Sequence, residues 1–413
     1  MHQNPAARAS LIAALALTLA APALSACGSK SETPAAPAVP AAPATPPAPV
    51  AEPLVALTSP VNLDVAKVAL GRRLFHDPLL SGDGTISCSS CHSLDTGGAE
   101  HRATSIGIGG HVGPINSPTV LNAARNFVQF WDGRAPTLDA QAAGPIGNPG
   151  EMGSTVEAAV EALKTKPEYV ALFAAAYPDG INPTNLTNAI AEYERSLITV
   201  SPFDKFLHGN QTAISEQAKR GYATFKSIGC TACHTGENIG GSMYQKMGLV
   251  RNYFELRGTP LTEADNGRFN VTHAEGDRHM FKVPTLRNIA LTAPYFHDGS
   301  QAALPAAVKV MARVQLGLEL TDAQLGDLVA FLESLTGELP ASARPTPEEL
   351  HPVAAPPADG PTQGHSGTSA VDSAGPNGGA RSGISGFSGL GAARTPVEVG
   401  GMNFGANGAV AGS

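Results

Sequence analysis

The 413-residue chain has no cysteine to spare. Of its five, four fall in two close pairs and the fifth, Cys27, ends an apolar leader. The disulfide framework that staples small secreted domains is therefore excluded. Aromatic residues are scarce, at 5% with a single tryptophan. A chain this poor in rings lacks the usual large core-fillers and needs another flat apolar body to pack around. Positive charge is in deficit. The formal net charge of −8 and the pI near 5.8 argue against nucleic acid as a partner. Strand-like alternation is rare, which disfavours sandwiches and barrels. The one long apolar run, residues 9–24, is too brief for a comfortable membrane span.

What the chain does have is a repeated pentapeptide. Cys88-Ser89-Ser90-Cys91-His92 and Cys230-Thr231-Ala232-Cys233-His234 both read Cys-x-x-Cys-His. This is the attachment pattern for c-type haem, in which two thiols bond the porphyrin edge and the histidine ligates iron. A zinc site would use four cysteines and has no need of a histidine after each pair. A redox dithiol expects a βαβ context that is missing here. Two covalent porphyrins would also supply the flat apolar bodies that the aromatic count leaves wanting. His92 and His234 are then the proximal ligands, and function turns on the opposite face of each iron.

Arg8 followed by residues 9–24 reads as an export signal. The segment Leu24-Ser25-Ala26-Cys27 resembles the bacterial lipoprotein cleavage box, which implies a signal over 1–27 and lipid on the Cys27 thiol. Acyl chains contribute roughly 0.8 kcal/mol per buried methylene, so two or three anchor firmly. The alternative is an ordinary secretory signal with a coincidental cysteine. Either reading places the protein in the periplasm. Residues 28–56 form an Ala/Pro-rich linker that favours extended, stiff conformations. Residues 341–413 are low in complexity and expected to be a disordered tail.

Between them the expectation is an all-α fold of two cytochrome c-like haem domains with long loops, at 57–205 and 206–340. Ser154-Thr155-Val156-Glu157 and Thr321-Asp322-Ala323-Gln324 read as capping boxes. Pro183 or Asn185 begins a helix carrying Leu186, Ile190, Tyr193 and Leu197, and Ser215 caps the helix that delivers Cys230.

Four further stretches carry a resemblance. They are Leu70-Gly71-Arg72-Arg73-Leu74-Phe75, Asn116-Ser117-Pro118-Thr119-Val120, Gln129-Phe130-Trp131-Asp132-Gly133-Arg134 and Leu291-Thr292-Ala293-Pro294-Tyr295-Phe296-His297-Asp298-Gly299. In content, order and spacing the chain resembles the bacterial di-haem cytochrome c peroxidases from about residue 60 to 337. The resemblance implies reduction of hydrogen peroxide to water with two electrons from a small soluble cytochrome c or cupredoxin, and a homodimer. It implies that the haem on Cys88, Cys91 and His92 is the peroxidatic centre. The haem on Cys230, Cys233 and His234 would be the electron-entry centre, with Met311 as its far ligand. A thioether raises the potential of an iron relative to a second imidazole. Met243, Met247 and Met280 are rival ligands, and Met311 also suits a helical core. Trp131 resembles the tryptophan that lies between the two haems, though a lone tryptophan also serves as plain packing. Glu151 matches the family's catalytic glutamate, against the ordinary alternative of a solvated charge. A carboxylate there would move a proton between the peroxide oxygens. Asn116, Thr292 and Pro294 match a calcium position.

One position departs from the family pattern. Where many members carry a displaceable histidine, this chain has Ile108 in Thr104-Ser105-Ile106-Gly107-Ile108. His111 or His101 would have to substitute, or the peroxidatic iron is five-coordinate at rest. Two other readings stay open: a non-enzymatic di-haem electron carrier, and a di-haem oxidase that matures tryptophan-derived quinones. The second type carries tyrosine in place of Met311.

Overall fold

The computed structural model describes residues 52–59 and 62–350. The leader with Cys27, most of the Ala/Pro linker and the tail beyond 350 lie outside the described residues. In chain order the helices are α1 (Val65–His76), α2 (Cys88–Cys91), α3 (Leu138–Gly147), α4 (Val156–Lys164), α5 (Pro167–Ala176), α6 (Pro183–Ser196) and α7 (Pro202–Leu207). They continue with α8 (Glu216–Ser227), α9 (Tyr253–Arg257), α10 (Phe269–Thr272), α11 (Leu304–Leu316), α12 (Asp322–Glu333) and α13 (Pro347–Leu350). A short antiparallel ribbon, β1 (Tyr244–Lys246) with β2 (Met280–Lys282), pairs Tyr244 with Lys282 and Lys246 with Met280. The expected all-α class is what the structure has.

Two helix crossings of the same design organise the core. α1 meets α6 at Gly71, where a Cβ would overlap the Ala189 carbonyl and crowd Tyr193. α8 meets α12 at Gly221, where a Cβ would overlap the Asp327 carbonyl and crowd Phe331. Glycine permits backbone-close packing that no other residue allows. One turn beyond each glycine a phenylalanine is buried: Phe75 beside Tyr193, with ring centroids 5.3 Å apart, and Phe225 beside Phe331, at 5.1 Å. Each first helix then leads towards a Cys-x-x-Cys-His motif. One apolar core gathers Leu70, Leu74, Phe75, Ile146, Leu163, Phe173 and Leu186, and a second gathers Phe203, Tyr222, Phe225, Leu328, Phe331 and Leu335.

The capping signals are met with one shift. Ser215 accepts from the Ala218 N–H, and Thr321 with Gln324 forms the expected box. α6 starts at Pro183, with Asn182 as its cap. In α4 the cap is Thr155, not Ser154, and its hydroxyl accepts from the Ala158 N–H. Thr155 is the extended residue whose oxygen faces the first turn, so the box read from Ser154 is one residue early.

Both expected boundary segments turn out to be structured at their inner ends. Leu54, assigned to the linker, is buried in the second core and bridges Gly236. At the other end, Ala343 joins the first core, its carbonyl accepts from Tyr193 Oη at 2.7 Å, and Glu349 pairs with Arg72 at 2.7 Å. The tail therefore does not begin at 341. The sparse apolar residues of these segments (Leu54, Ala343) find seats that composition alone does not reveal.

Asp204 and Arg287 are both completely buried and pair at 2.8 Å. Burial alone would push the Asp204 carboxyl up. The hydrogen bonds and charge of Arg287, with Leu57 N–H and Ser201, outweigh it and hold the carboxyl below its ordinary value. The sign follows: with a depressed folded pKa, the pair's contribution is complete at neutral pH and is lost only as acid titrates Asp204 below the usual carboxylate range. Arg287→Met leaves a buried carboxylate unpaired. It should destabilise the holoprotein by about 3–5 kcal/mol, read as a lowered urea midpoint at pH 7 with an unchanged slope.

Candidate active site

The two motifs open onto two cavities. The first is lined by Cys88, Cys91, His92, Gln141, Glu151, Met152 and Glu194, among others. The second is lined by Cys230, Cys233, His234, Met247, Lys282 and Met311, among others. Its walls are mostly apolar, with Leu304, Val308, Leu328 and Leu332 from α11 and α12.

The local chemistry decides what these cavities hold. His92 Nδ1 lies 3.2 Å from the Gly98 carbonyl and His234 Nδ1 lies 3.3 Å from the Ile239 carbonyl. With Nδ1–H donated to a carbonyl, Nε2 is left bare to ligate a metal, a frequent arrangement for ligating histidines. Burial holds both imidazoles below their ordinary pKa, His234 at about 4, so both are neutral and ligand-competent. The cysteines are free, and burial pushes Cys88 and Cys230 up to about 12 and Cys91 to about 11. A redox dithiol needs the opposite shift. A zinc site is disfavoured as well, because the two cysteine pairs face separate cavities. Among the described residues, Asp265, His297 and Asp298 form the cluster of metal-ligating type. Arg257 already occupies it, at 2.7 Å from Asp265 and 2.8 Å from Asp298. Two cysteines and a neutral histidine facing one apolar cavity, twice over, fit a covalently held haem in each.

Glu151 is half-buried in the first cavity and its Oε1 accepts from Asn148 Nδ2 at 2.6 Å. Burial raises its carboxyl above the ordinary carboxylate range, against the opposing pull of that hydrogen bond and of Arg134. Trp131 and Asn116 line both cavities, and the indole N–H donates to the Asn116 carbonyl at 2.8 Å. The Gln129–Ala135 bridge closes the turn that presents the ring, with Gly133 at φ +70°. Thr292 and Pro294 line the second cavity together with Asn116.

Met311, on α11, also lines the second cavity. Of its rivals only Met247 does so, while Met243 and Met280 are not in the wall. No histidine other than His92 lines the first cavity among the described residues. His101 is exposed, with Nε2 3.0 Å from the Leu291 carbonyl. His111 is also exposed, and its ring lies where a Cβ on Gly150 would go. The loop that carries it turns back at Gly109 and Gly110, both of positive φ, and the Gly107 N–H donates to the His111 carbonyl.

Three buried or lining residues escaped the sequence reading: Gln141, Glu194 and Lys282. Glu194 sits on α6, 5% exposed, and burial lifts its carboxyl to about 8. Its signal in sequence is weak: a lone acid within an otherwise apolar helix face.

The chain matches the family model described as di-haem cytochrome c peroxidase over residues 65–212. It is 49% identical over 288 residues to cytochrome c peroxidase Ccp of Escherichia coli K12, covering 69% of this chain but only 61% of that one. It is 48% identical over 291 residues to cytochrome c551 peroxidase of Nitrosomonas europaea, covering 70% of this chain and 84% of the relative. Among solved structures, a MauG-like protein associated with microbial copper homeostasis superposes with a TM-score of 0.61 at 27% identity. The match covers 72% of this chain and 95% of the other.

The cavity walls predict the ligands. Met311→Leu should abolish the methionine-to-iron charge-transfer band of the ferric holoprotein, and Met247→Leu should leave it in place. The ferric protein should also show a high-spin signal from the first haem that His101→Ala and His111→Ala do not alter. A spectrum that is low-spin throughout contradicts this arrangement.

Proposed function

The chain belongs to the di-haem cytochrome c peroxidase family, and from that premise we propose that it reduces hydrogen peroxide to water: H2O2 + 2 e⁻ + 2 H⁺ → 2 H2O. The observation that carries the reading is the inequality of the two cavities. One offers a carboxyl, Glu151, with His92 the one histidine in its wall among the described residues, and the other offers a thioether, Met311. The bound haems supply the irons that take peroxide and pass electrons. The protein supplies the rest. Glu151 accepts the proton of the near peroxide oxygen and returns it to the far one. Asn148 fixes its carboxyl, and burial raises its affinity for the proton above that of an ordinary carboxylate. Met311 closes the second site to small molecules. Trp131 occupies the wall common to both sites and holds them at a fixed separation, anchored by Asn116.

Electrons come from a small soluble cytochrome c or a cupredoxin. A hard cation at Asn116, Thr292 and Pro294 belongs to the same reading, as do a homodimer, export to the periplasm and an acyl anchor on Cys27. No helix among the described residues is long and apolar enough to cross a membrane.

Steady-state turnover with peroxide and a reduced small cytochrome tests the activity, and a rate no better than free haem refutes it. Glu151→Gln should lower turnover by about 10²–10⁴-fold with both haem spectra intact. Because the base must be ionised, wild-type turnover should rise with pH through the elevated Glu151 pKa. That limb should vanish in the glutamine variant.

A further inference from the structure

Two buried cations among the described residues are matched by carboxylates. Arg287 has Asp204, and Arg257 has Asp265 and Asp298. Lys282 breaks the rule. It is 5% exposed, it forms no salt bridge among the described residues, and it is not among the side-chain atoms sealed away without a partner, so its ammonium opens onto the cavity it lines. Its position is firmly set. It ends β2 opposite Tyr244, and its backbone N–H donates to the Trp131 carbonyl at 2.8 Å. The residue lines the second cavity, on the side of the wall that Trp131 shares with the first.

An isolated ammonium in a low-dielectric site is costly, several kcal/mol even after relaxation. Burial alone lowers its pKa to about 8, with no countercharge of the protein to restore it. Folded proteins keep such groups when a partner arrives from outside the chain. The cavity is shaped for a c-type haem, and a haem brings two carboxylates of its own, the propionates. We propose that Lys282 is a cofactor-binding residue whose ammonium pairs with a propionate of the second haem, beside Trp131. The cation in the first cavity's wall, Arg134, is exposed and already paired with Asp132. The buried ionisable residue in its wall without a salt-bridge partner is the acid Glu194. The charge difference therefore acts in the same direction as the ligand difference. A fixed cation stabilises the reduced, less positive iron, and it does so at the haem that Met311 also favours in reduction.

This inference rests on the reading that haem is attached at Cys230 and Cys233, so the haem count is measured first. A purified holoprotein without two covalent haems overturns both. With two haems in place, midpoint potentials are measured by spectroelectrochemical titration for wild type, Lys282→Met and Lys282→Arg. Lys282→Met should weaken one-electron reduction of the second haem roughly tenfold, which is about 59 mV. The first haem should stay within a small fraction of that, and Lys282→Arg should restore the wild-type value. An unmoved second potential in Lys282→Met, or an arginine variant no different from it, overturns the proposal while leaving the peroxidase reading intact. Should Lys282→Met fail to fold or to load haem, a crystal structure of the wild-type holoprotein decides. An ammonium within about 4 Å of a propionate oxygen supports the pairing. One that meets only water or a free anion refutes it.

Discussion

The buried pair of Arg287 and Asp204 is the constraint from which the geometry of the second site follows. Neither charge is exposed, and between them they collect segments far apart in sequence. Asp204 accepts from the Leu57 and Ser201 N–H groups, and Arg287 donates to the Glu237 and Val55 carbonyls. Glu237 lies three residues beyond His234. Beside it, Thr285 donates to the Asn238 carbonyl, and the next carbonyl, that of Ile239, orients the imidazole. A ligating histidine in a loop needs such a scaffold, because a loop with few regular backbone bonds cannot fix a ring by itself. The ion pair costs desolvation on both sides. Its return is positional: it sets where the loop after the second motif can lie.

The two cavities have similar framing and unlike contents. In each, a glycine-crossed helix pair brings a phenylalanine and a Cys-x-x-Cys-His segment together. On that common frame the walls diverge, with Gln141, Glu151 and Glu194 in one and Lys282 and Met311 in the other. Trp131 and Asn116 belong to both walls and are joined to each other by one hydrogen bond.

The parts that sequence reveals are those coded by neighbouring residues. The two pentapeptides, the caps at Ser215 and Thr321, and the glutamate after Gly150 are all local patterns. Lys282 is different. In sequence it is an ordinary lysine after a phenylalanine, and only the pairing of two three-residue strands buries it. Gln141 and Glu194 reach one cavity from two different helices, α3 and α6, which no spacing rule predicts. His111 is close to Ile108 in sequence, but its place depends on the turn at Gly109 and Gly110, which lays its exposed ring against Gly150. The segments flanking the haem domains were obscured by their composition. A few leucines among prolines and alanines suffice to dock a chain end when a prepared groove exists.

The two flanking segments cross over. The incoming segment around Leu54 completes the core built on α8 and α12, and the outgoing segment around Ala343 completes the core built on α1 and α6. Neither half is thus autonomous. Excising one haem unit at the α7 junction would strip its neighbour of a covering segment and expose apolar surface on both fragments. Two sites clasped in this way stand or fall as one cooperative body, so the spacing between their cofactors is protected by the same contacts that keep the protein from coming apart.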